Sequence, residues 1–187
     1  MKIFLSNQNK LFPVHLNKLC TYRVIPYSKE NLKHKTSTKQ IKSMLNLESI
    51  DLKDFFNYKI FPANILQAYT QWENEDRYMQ VNDTIVQQIQ IPPIIGFSQK
   101  IIMGVRIKEI INSNKSKGFS YETLEGHVEK GISTFIVERK NNSLYFTIET
   151  YSSANIPGLS MFQSLSSLYQ DYCTKQALNF VAAYLSS

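Results

Sequence analysis

Apolar and polar residues alternate over much of the second half of the chain, which is the pattern of β-strands that bury one face. In the clearest run, the apolar positions are Ile101, Met103, Val105 and Ile107. The same period predicts further strands over residues 84–91, 119–123, 133–139 and 144–151. Because the spacing between these strands provides no crossover helices, the sheet should be antiparallel.

A long amphipathic helix is predicted after Pro157 and Gly158. Its apolar and aromatic side chains return every three or four residues, as at Leu165, Tyr169 and Tyr172. A helix of about 20 residues with so broad an apolar stripe must lie against a large surface, and the sheet supplies one. We therefore predict an α+β fold in which a curved antiparallel sheet wraps around a long C-terminal helix. This element order resembles the helix-grip fold of the START and birch-allergen-like proteins, in which a cavity remains between sheet and helix.

Two further elements are predicted upstream of these strands. Alternating Phe56 and Tyr58 favour a strand over residues 54–61. Pro62 then suits the first turn of a helix, and residues 65–72 keep helical spacing. The sequence therefore predicts a strand and a helix before the main run of strands.

The first 50 residues are polar and strongly basic. They hold nine Lys and Arg residues against two acidic ones, so the net charge of +6 originates here. Ile41, Met44 and Leu45 fall at helical spacing and predict one short helix over residues 36–47. We predict a basic N-terminal extension over residues 1–50 and a helix-grip α+β domain over residues 51–187.

Two interpretations of the basic extension stay open. The simpler one is a solvated, lysine-rich segment, and the alternative is an arm that docks on an acidic surface. Only four of the 21 basic residues are Arg, and aromatic residues are not interleaved with the lysines. Nucleic acid is therefore not the expected partner.

Composition narrows the class of protein further. With 187 residues, 43% of them hydrophobic, the chain can build one sizeable core. It shows neither the dinucleotide-binding spacing nor the phosphate-binding loop, so no cofactor is predicted. Cys20 and Cys173 lack the clustered partners of a zinc site, and no apolar segment suits a signal peptide or a membrane span. These features predict a cytoplasmic protein with reduced thiols and no metal.

Four segments carry a resemblance to a known family. They read NDTIVQQIQIPP, GFSYETLEGHVEKGISTF, FTIETYS and SLYQDYCTKQAL. Through them the chain resembles the uncharacterised domain-of-unknown-function family numbered nineteen-ninety, from bacteria and plants, over residues 54–181. The family usually has a glycine where this chain has Asn82, and asparagine also tolerates positive φ, so a turn is expected there. The resemblance implies a shared fold and brings no established activity.

His127 and Glu129 are the candidate catalytic residues. They lie two residues apart between Gly126 and Gly131, where a carboxylate could orient the imidazole as a general base. The alternative, which we favour, is a shaped loop in which the glycines adopt positive φ and both side chains satisfy backbone groups.

The candidate ligand-binding residues are aromatic or polar-tipped side chains on the predicted strands and helices. They are Tyr121, Phe135, Phe146, Ile148, Tyr169, Gln170, Tyr172, Trp72 and Arg77. Such a mixture is typical of small-molecule sites. For Tyr121 the alternative is an ordinary core position, and for Arg77 it is an ion pair with Asp83 or a neighbouring glutamate.

The function predicted from the sequence is non-catalytic. The expected partner is a hydrophobic or amphipathic small molecule held in a cavity between the sheet and the C-terminal helix. Two alternatives stay open: an acid–base enzyme that uses His127 and Glu129, and an interaction protein that uses the basic segment 1–50.

Overall fold

The computed structural model describes residues 2–91, 99–155 and 160–186. The strands are β1 (Lys2–Phe4), β2 (Lys33–Ile41), β3 (Leu66–Thr70), β4 (Thr84–Ile91), β5 (Gln99–Asn112), β6 (Ser116–Thr123), β7 (Glu129–Lys140) and β8 (Ser143–Ala154). The helices are α1 (Phe12–Cys20), α2 (Lys53–Phe56), α3 (Gln71–Asn74) and α4 (Ser160–Tyr184).

The strands form one antiparallel sheet with the order β2-β8-β7-β6-β5-β4-β3, and β1 pairs with part of β5. The register of β5 against β6 shifts between Ile107 and Glu109, and such a bulge bends the strand. The predicted α+β fold, a curved antiparallel sheet with a long C-terminal helix, is confirmed. The five strands predicted from alternation are confirmed as well.

The main core lies on the concave face of the sheet. Phe55 packs against Phe119 and Phe146, with ring centroids 5.4 and 5.8 Å apart. From α4, Ala177 and Val181 belong to the same buried cluster. The C-terminal half of the helix therefore closes over the aromatic part of the sheet.

A second, smaller core lies on the convex face. Phe12, Leu16 and Leu19 of α1 pack there against Val86 and Ile102 of the sheet. The sequence analysis did not predict this helix, because it is short and lies within a polar segment, although Phe12, Leu16 and Leu19 have helical spacing. Residues 2–50 thus contribute α1, β1 and β2 to the same sheet and its layers.

Three local predictions are wrong. Residues 36–47 do not form a helix, because β2 pairs with β8 through Ile41 and both Met44 and Leu45 are exposed. The strand predicted over residues 54–61 is instead the single turn α2, followed by Tyr58 at a φ of 58°. The helix predicted over residues 65–72 is mainly β3, and only its last two residues begin α3.

The predicted turns are confirmed at two places. Asn82, where a turn was expected, adopts a φ of 74°. Asn141 and Asn142 connect β7 to β8 at φ values of 47° and 62°, which is the two-residue hairpin geometry that matches the twist of the strands.

Candidate functional site

Along β6 and β7, the side chains on the concave face change from aromatic to polar. Phe119 and Phe135 stack with ring centroids 5.4 Å apart, and both are buried. Next to this pair on the same face, Tyr121 lies two residues after Phe119, pairs with Ser133 of β7 and interacts with its hydroxyl. Since side chains alternate between faces, these four residues share the concave face. It is therefore aromatic at the centre and polar toward one end.

A buried polar group lies under this polar end. Nε2 of Gln87 donates a hydrogen bond to the Tyr58 hydroxyl at 2.6 Å, and both residues are buried. The rings of Tyr58 and Tyr121 lie 6.1 Å apart, and their hydroxyls interact. Burial raises the pKa of both tyrosines, so the hydroxyls stay protonated and can donate hydrogen bonds.

Glu129 begins β7 at the same end and reaches α4. Its carboxylate accepts a hydrogen bond from Nε2 of Gln170. Burial raises the pKa of Glu129 to about 7, and Lys35 of β2 opposes this shift through its charge. On the next turn of α4, burial raises the pKa of the Cys173 thiol to about 11. The thiol is therefore neutral at pH 7, as expected of a small buried side chain rather than a nucleophile.

The His127 ring forms its hydrogen bond to the backbone of the loop that leads into β7. Its Nδ1 accepts a hydrogen bond from the backbone N–H of Glu129 at 3.0 Å, and Gly126 adopts a φ of 81°. Burial lowers the pKa of His127 to about 4. The ring contacts the backbone of Glu129, whereas the carboxylate turns to Gln170, so the geometry corresponds to the loop alternative rather than to an oriented acid–base pair.

Tyr169 ties α4 to the sheet from the helix side. Its hydroxyl donates a hydrogen bond to the carbonyl oxygen of Gln90 in β4 at 2.5 Å. The ring of Tyr172 lies 6.3 Å from that of Tyr169, but its side chain is largely exposed. Of the predicted helix residues, Tyr169 and Gln170 therefore contact the sheet, and Tyr172 lies at the solvent edge.

Trp72 and Arg77 make contacts that stabilise the fold. Trp72 is buried in the main core. Nη1 and Nη2 of Arg77 donate to the carboxylate of the buried Asp83 at 2.8 and 2.6 Å, while Nε pairs with Glu75. The Arg–Asp alternative is thus the arrangement present, and the guanidinium is already engaged by two carboxylates.

A cavity of about 490 Å³ opens between the edge strand β2 and α4. Its lining residues are Ser37, Thr38, Lys39, Gln40, Asp171, Thr174, Lys175, Leu178 and Asn179. We call it the β2–α4 groove. Lys35 and Lys39 face α4, because Nζ of Lys35 lies 2.6 Å from Asp171 and Nζ of Lys39 lies 2.5 Å from Asn179.

Sequence reasoning missed the β2–α4 groove and the residues that shape it. The only signal was a period of two through Lys35, Ser37, Lys39 and Ile41. Because three of these side chains are polar, hydrophobic alternation did not reveal the strand.

Within the part of the chain that the structure describes, no three His, Cys, Asp or Glu side chains lie close enough together to hold a metal ion. Among the helices described, none has both the length and the apolar character required to cross a bilayer.

The curved antiparallel sheet and the long C-terminal helix that packs against it define an α+β protein of the helix-grip type. The family model described as Domain of unknown function (DUF1990) matches residues 54–180, so the chain belongs to this family. The comparison with curated proteins finds no match.

The solved structures that are similar to the chain include the following three. Major latex-like protein 151 of Panax ginseng is 16% identical, with a TM-score of 0.52 over 83% of this chain and 98% of that one. A hypothetical protein of Helicobacter pylori is 10% identical, with a TM-score of 0.50 over 86% and 97%. A protein of Arthrobacter aurescens is 13% identical, with a TM-score of 0.50 over 89% and 92%. At such identities the likeness concerns the fold alone.

Proposed function

We propose that the protein binds a hydrophobic or amphipathic small molecule between the concave face of the sheet and α4, without catalysing a reaction. The observation that carries this proposal is the division of the concave face. Aromatic side chains occupy its centre, and a few polar groups converge at one end, as in most small-molecule sites.

The contacts proposed for the ligand follow this division. Tyr121, Phe135, Phe146 and Ile148 of the sheet would face its apolar part. Tyr169 and Gln170 of α4, together with Glu129, would lie beside the ligand where the concave face becomes polar. Because Phe135, Phe146 and Ile148 are buried in the main core, a ligand that touches them would replace contacts that they now make with other core side chains.

The protein's compartment is part of the proposal. Cys20 and Cys173 are both free thiols in the structure. Free thiols suit a reducing compartment, so we place the protein in the cytoplasm.

A neutral fluorescent dye tests the proposal. Nile red should gain fluorescence when it is added to the protein, and native mass spectrometry of protein purified from cells should show a bound small molecule. Tyr121→Leu should weaken dye binding, whereas Tyr78→Leu, at an exposed position, should leave it unchanged. Circular dichroism establishes that both variants are folded. A uniformly ligand-free mass together with no dye binding would contradict the proposal.

A further inference from the structure

We propose that the β2–α4 groove binds the anionic head group of the ligand. The ligand would then be a single-chain amphiphile that ends in a carboxylate or a phosphate. This inference rests on the proposed function, and it adds the chemical class of the ligand and the place of its polar end.

The charges that line the groove favour an anion. Lys39 and Lys175 stand against one carboxylate, that of Asp171. Nζ of Lys35 lies 2.6 Å from that carboxylate and balances its charge. The groove therefore presents net positive charge to an entering molecule, and unlike charges raise both the encounter rate and the affinity.

Hydrogen-bond donors complete the groove. The hydroxyls of Ser37 and Thr174 line it. Asn179 also lines it, and its Oδ1 accepts a hydrogen bond from Lys39. Ammonium and hydroxyl donors together match the acceptor-only chemistry of a carboxylate or phosphate.

Leu178 lies between the groove and the main core, because it lines the one and belongs to the other. On the other side, Lys35 connects Asp171 in the groove with Glu129 at the polar end of the concave face. In this proposal, the chain of a molecule whose head lies at Lys39 and Lys175 would displace Leu178 to reach the aromatic centre.

Competition with Nile red tests the assignment. Four ligands with the same twelve-carbon chain are compared below their micelle concentrations: dodecanoate, dodecyl phosphate, dodecanol and dodecyltrimethylammonium. The first two should displace the dye at lower concentrations than the alcohol, and the cation should displace it least. The two anions distinguish a carboxylate head from a phosphate head.

Two lysine variants and a control locate the head group. Lys39→Gln and Lys175→Gln should each reduce the preference for the anions by roughly two- to fivefold, the range of one solvent-exposed ion pair. Lys115→Gln removes the same charge from an exposed turn between β5 and β6 and should change nothing. Binding of the neutral dye itself should be the same in all four proteins.

The outcomes separate the two proposals. If the dye binds but the anions show no advantage, or the advantage survives in the double variant Lys39→Gln/Lys175→Gln, the head-group site is wrong and the proposed function stands. If the dye does not bind the unmodified protein, the proposed function fails and this inference fails with it.

Discussion

Glu129 and Gln170 join the sheet to the C-terminal helix, because Nε2 of Gln170 donates a hydrogen bond to the carboxylate at the start of β7. The two residues are 41 positions apart in the chain, and the contact lies at the polar end of the concave face. Burial makes the ionised carboxylate costly there, and the charge of Lys35 offsets only part of this cost. The contact between β7 and α4 should therefore depend on pH.

Glu129→Gln should stabilise the protein at alkaline pH. The folded pKa of Glu129 is about 7, above the ordinary value of 4.5, so the folded state holds the proton more tightly than the unfolded state. The penalty for ionisation is absent below pH 4.5, grows as the pH rises to 7 and is constant above. The variant removes this penalty and should gain up to about 3 kcal/mol at pH 8, from 1.36 kcal/mol per pKa unit.

Urea unfolding at pH 4.5 and pH 8 measures this effect. The stability difference between the variant and the unmodified protein should be small at the lower pH and reach its full value at the higher one. Glu48→Gln, the same substitution at an exposed position, provides the control. A difference of the same size at both pH values would rule out a titrating Glu129.

Ionisation of His127 should make the stability change with pH in the direction opposite to that caused by Glu129. Burial lowers the folded pKa of His127 to about 4 from 6.5, so the folded state excludes the proton that the unfolded state accepts. Its stabilising contribution is complete above pH 6.5 and is lost as the pH falls toward 4. His127→Asn should abolish this loss, which amounts to about 3 kcal/mol by the same conversion.

Because the two contributions oppose each other between about pH 4.5 and 6.5, the unmodified protein should vary little over that window. Urea midpoints of His127→Asn should instead fall as the pH rises, and those of Glu129→Gln should rise. His34→Asn, a change at an exposed histidine of β2, is the matched control. Parallel pH profiles of His127→Asn and the unmodified protein would be inconsistent with a buried, neutral ring.

Hydrophobic alternation predicted those parts of the fold that bury one face completely. The strands β4 to β8 were found in this way, since their concave positions carry residues such as Val105, Phe135 and Phe146. Turn chemistry added the β7–β8 hairpin and the turn at Asn82. These features are local, so a single sequence contains the information that specifies them.

The elements that the sequence did not reveal depend on tertiary partners. The strand β2 has few apolar residues, because most of its side chains are exposed at the edge of the sheet. Over residues 66–72, the spacing of Leu66, Tyr69 and Trp72 resembled that of a helix. In the structure, Leu66 and Trp72 belong to the concave core, whereas Tyr69 packs on the convex one. A sequence period cannot distinguish one face of a helix from two faces of a strand in so short a segment.

The sequence predicted only some residues of the candidate site, because the others are recognised by their tertiary contacts. Tyr121, Glu129 and Gln170 were singled out by residue type, but their partners Tyr58, Gln87 and Lys35 were not. Tyr58 reaches Gln87 only because the chain turns at a φ of 58° after α2, a geometry that no residue pattern indicated.

Asp83→Asn should destabilise the fold strongly. The buried carboxylate accepts hydrogen bonds from both terminal nitrogens of Arg77 and from the backbone N–H of Gln80 at 2.7 Å. Breaking a buried pair on one side costs about 3–5 kcal/mol, and partial exposure of Arg77 places this case near the lower limit. Glu75→Gln removes the other, exposed partner of Arg77 and should cost far less than Asp83→Asn, because solvent screens an exposed pair. Equal effects in thermal unfolding would contradict the structural role of Asp83.

Gly118 and Gly104 offer a matched test of how closely the strands approach. A Cβ atom at Gly118 would overlap the backbone carbonyl of Phe135 on β7, and backbone cannot move aside without breaking the pairing of β6 with β7. At Gly104 the nearest atoms are Cδ2 of Leu19 at 2.9 Å and Cδ1 of Leu124 at 3.0 Å, which are ends of flexible side chains. Gly118→Ala should therefore cost about 3 kcal/mol or more, and Gly104→Ala about 1 kcal/mol.

Urea unfolding of the two alanine variants gives both values on the same scale. Gly104→Ala should also leave Nile red binding unchanged, because Leu19 and Leu124 lie in the convex core and not on the concave face. Gly118→Ala disturbs the strand that carries Phe119 and Tyr121, so its folded fraction should bind the dye more weakly. Similar stability of the two variants would mean that β6 and β7 can separate locally at Gly118, which the continuous register of this pair argues against.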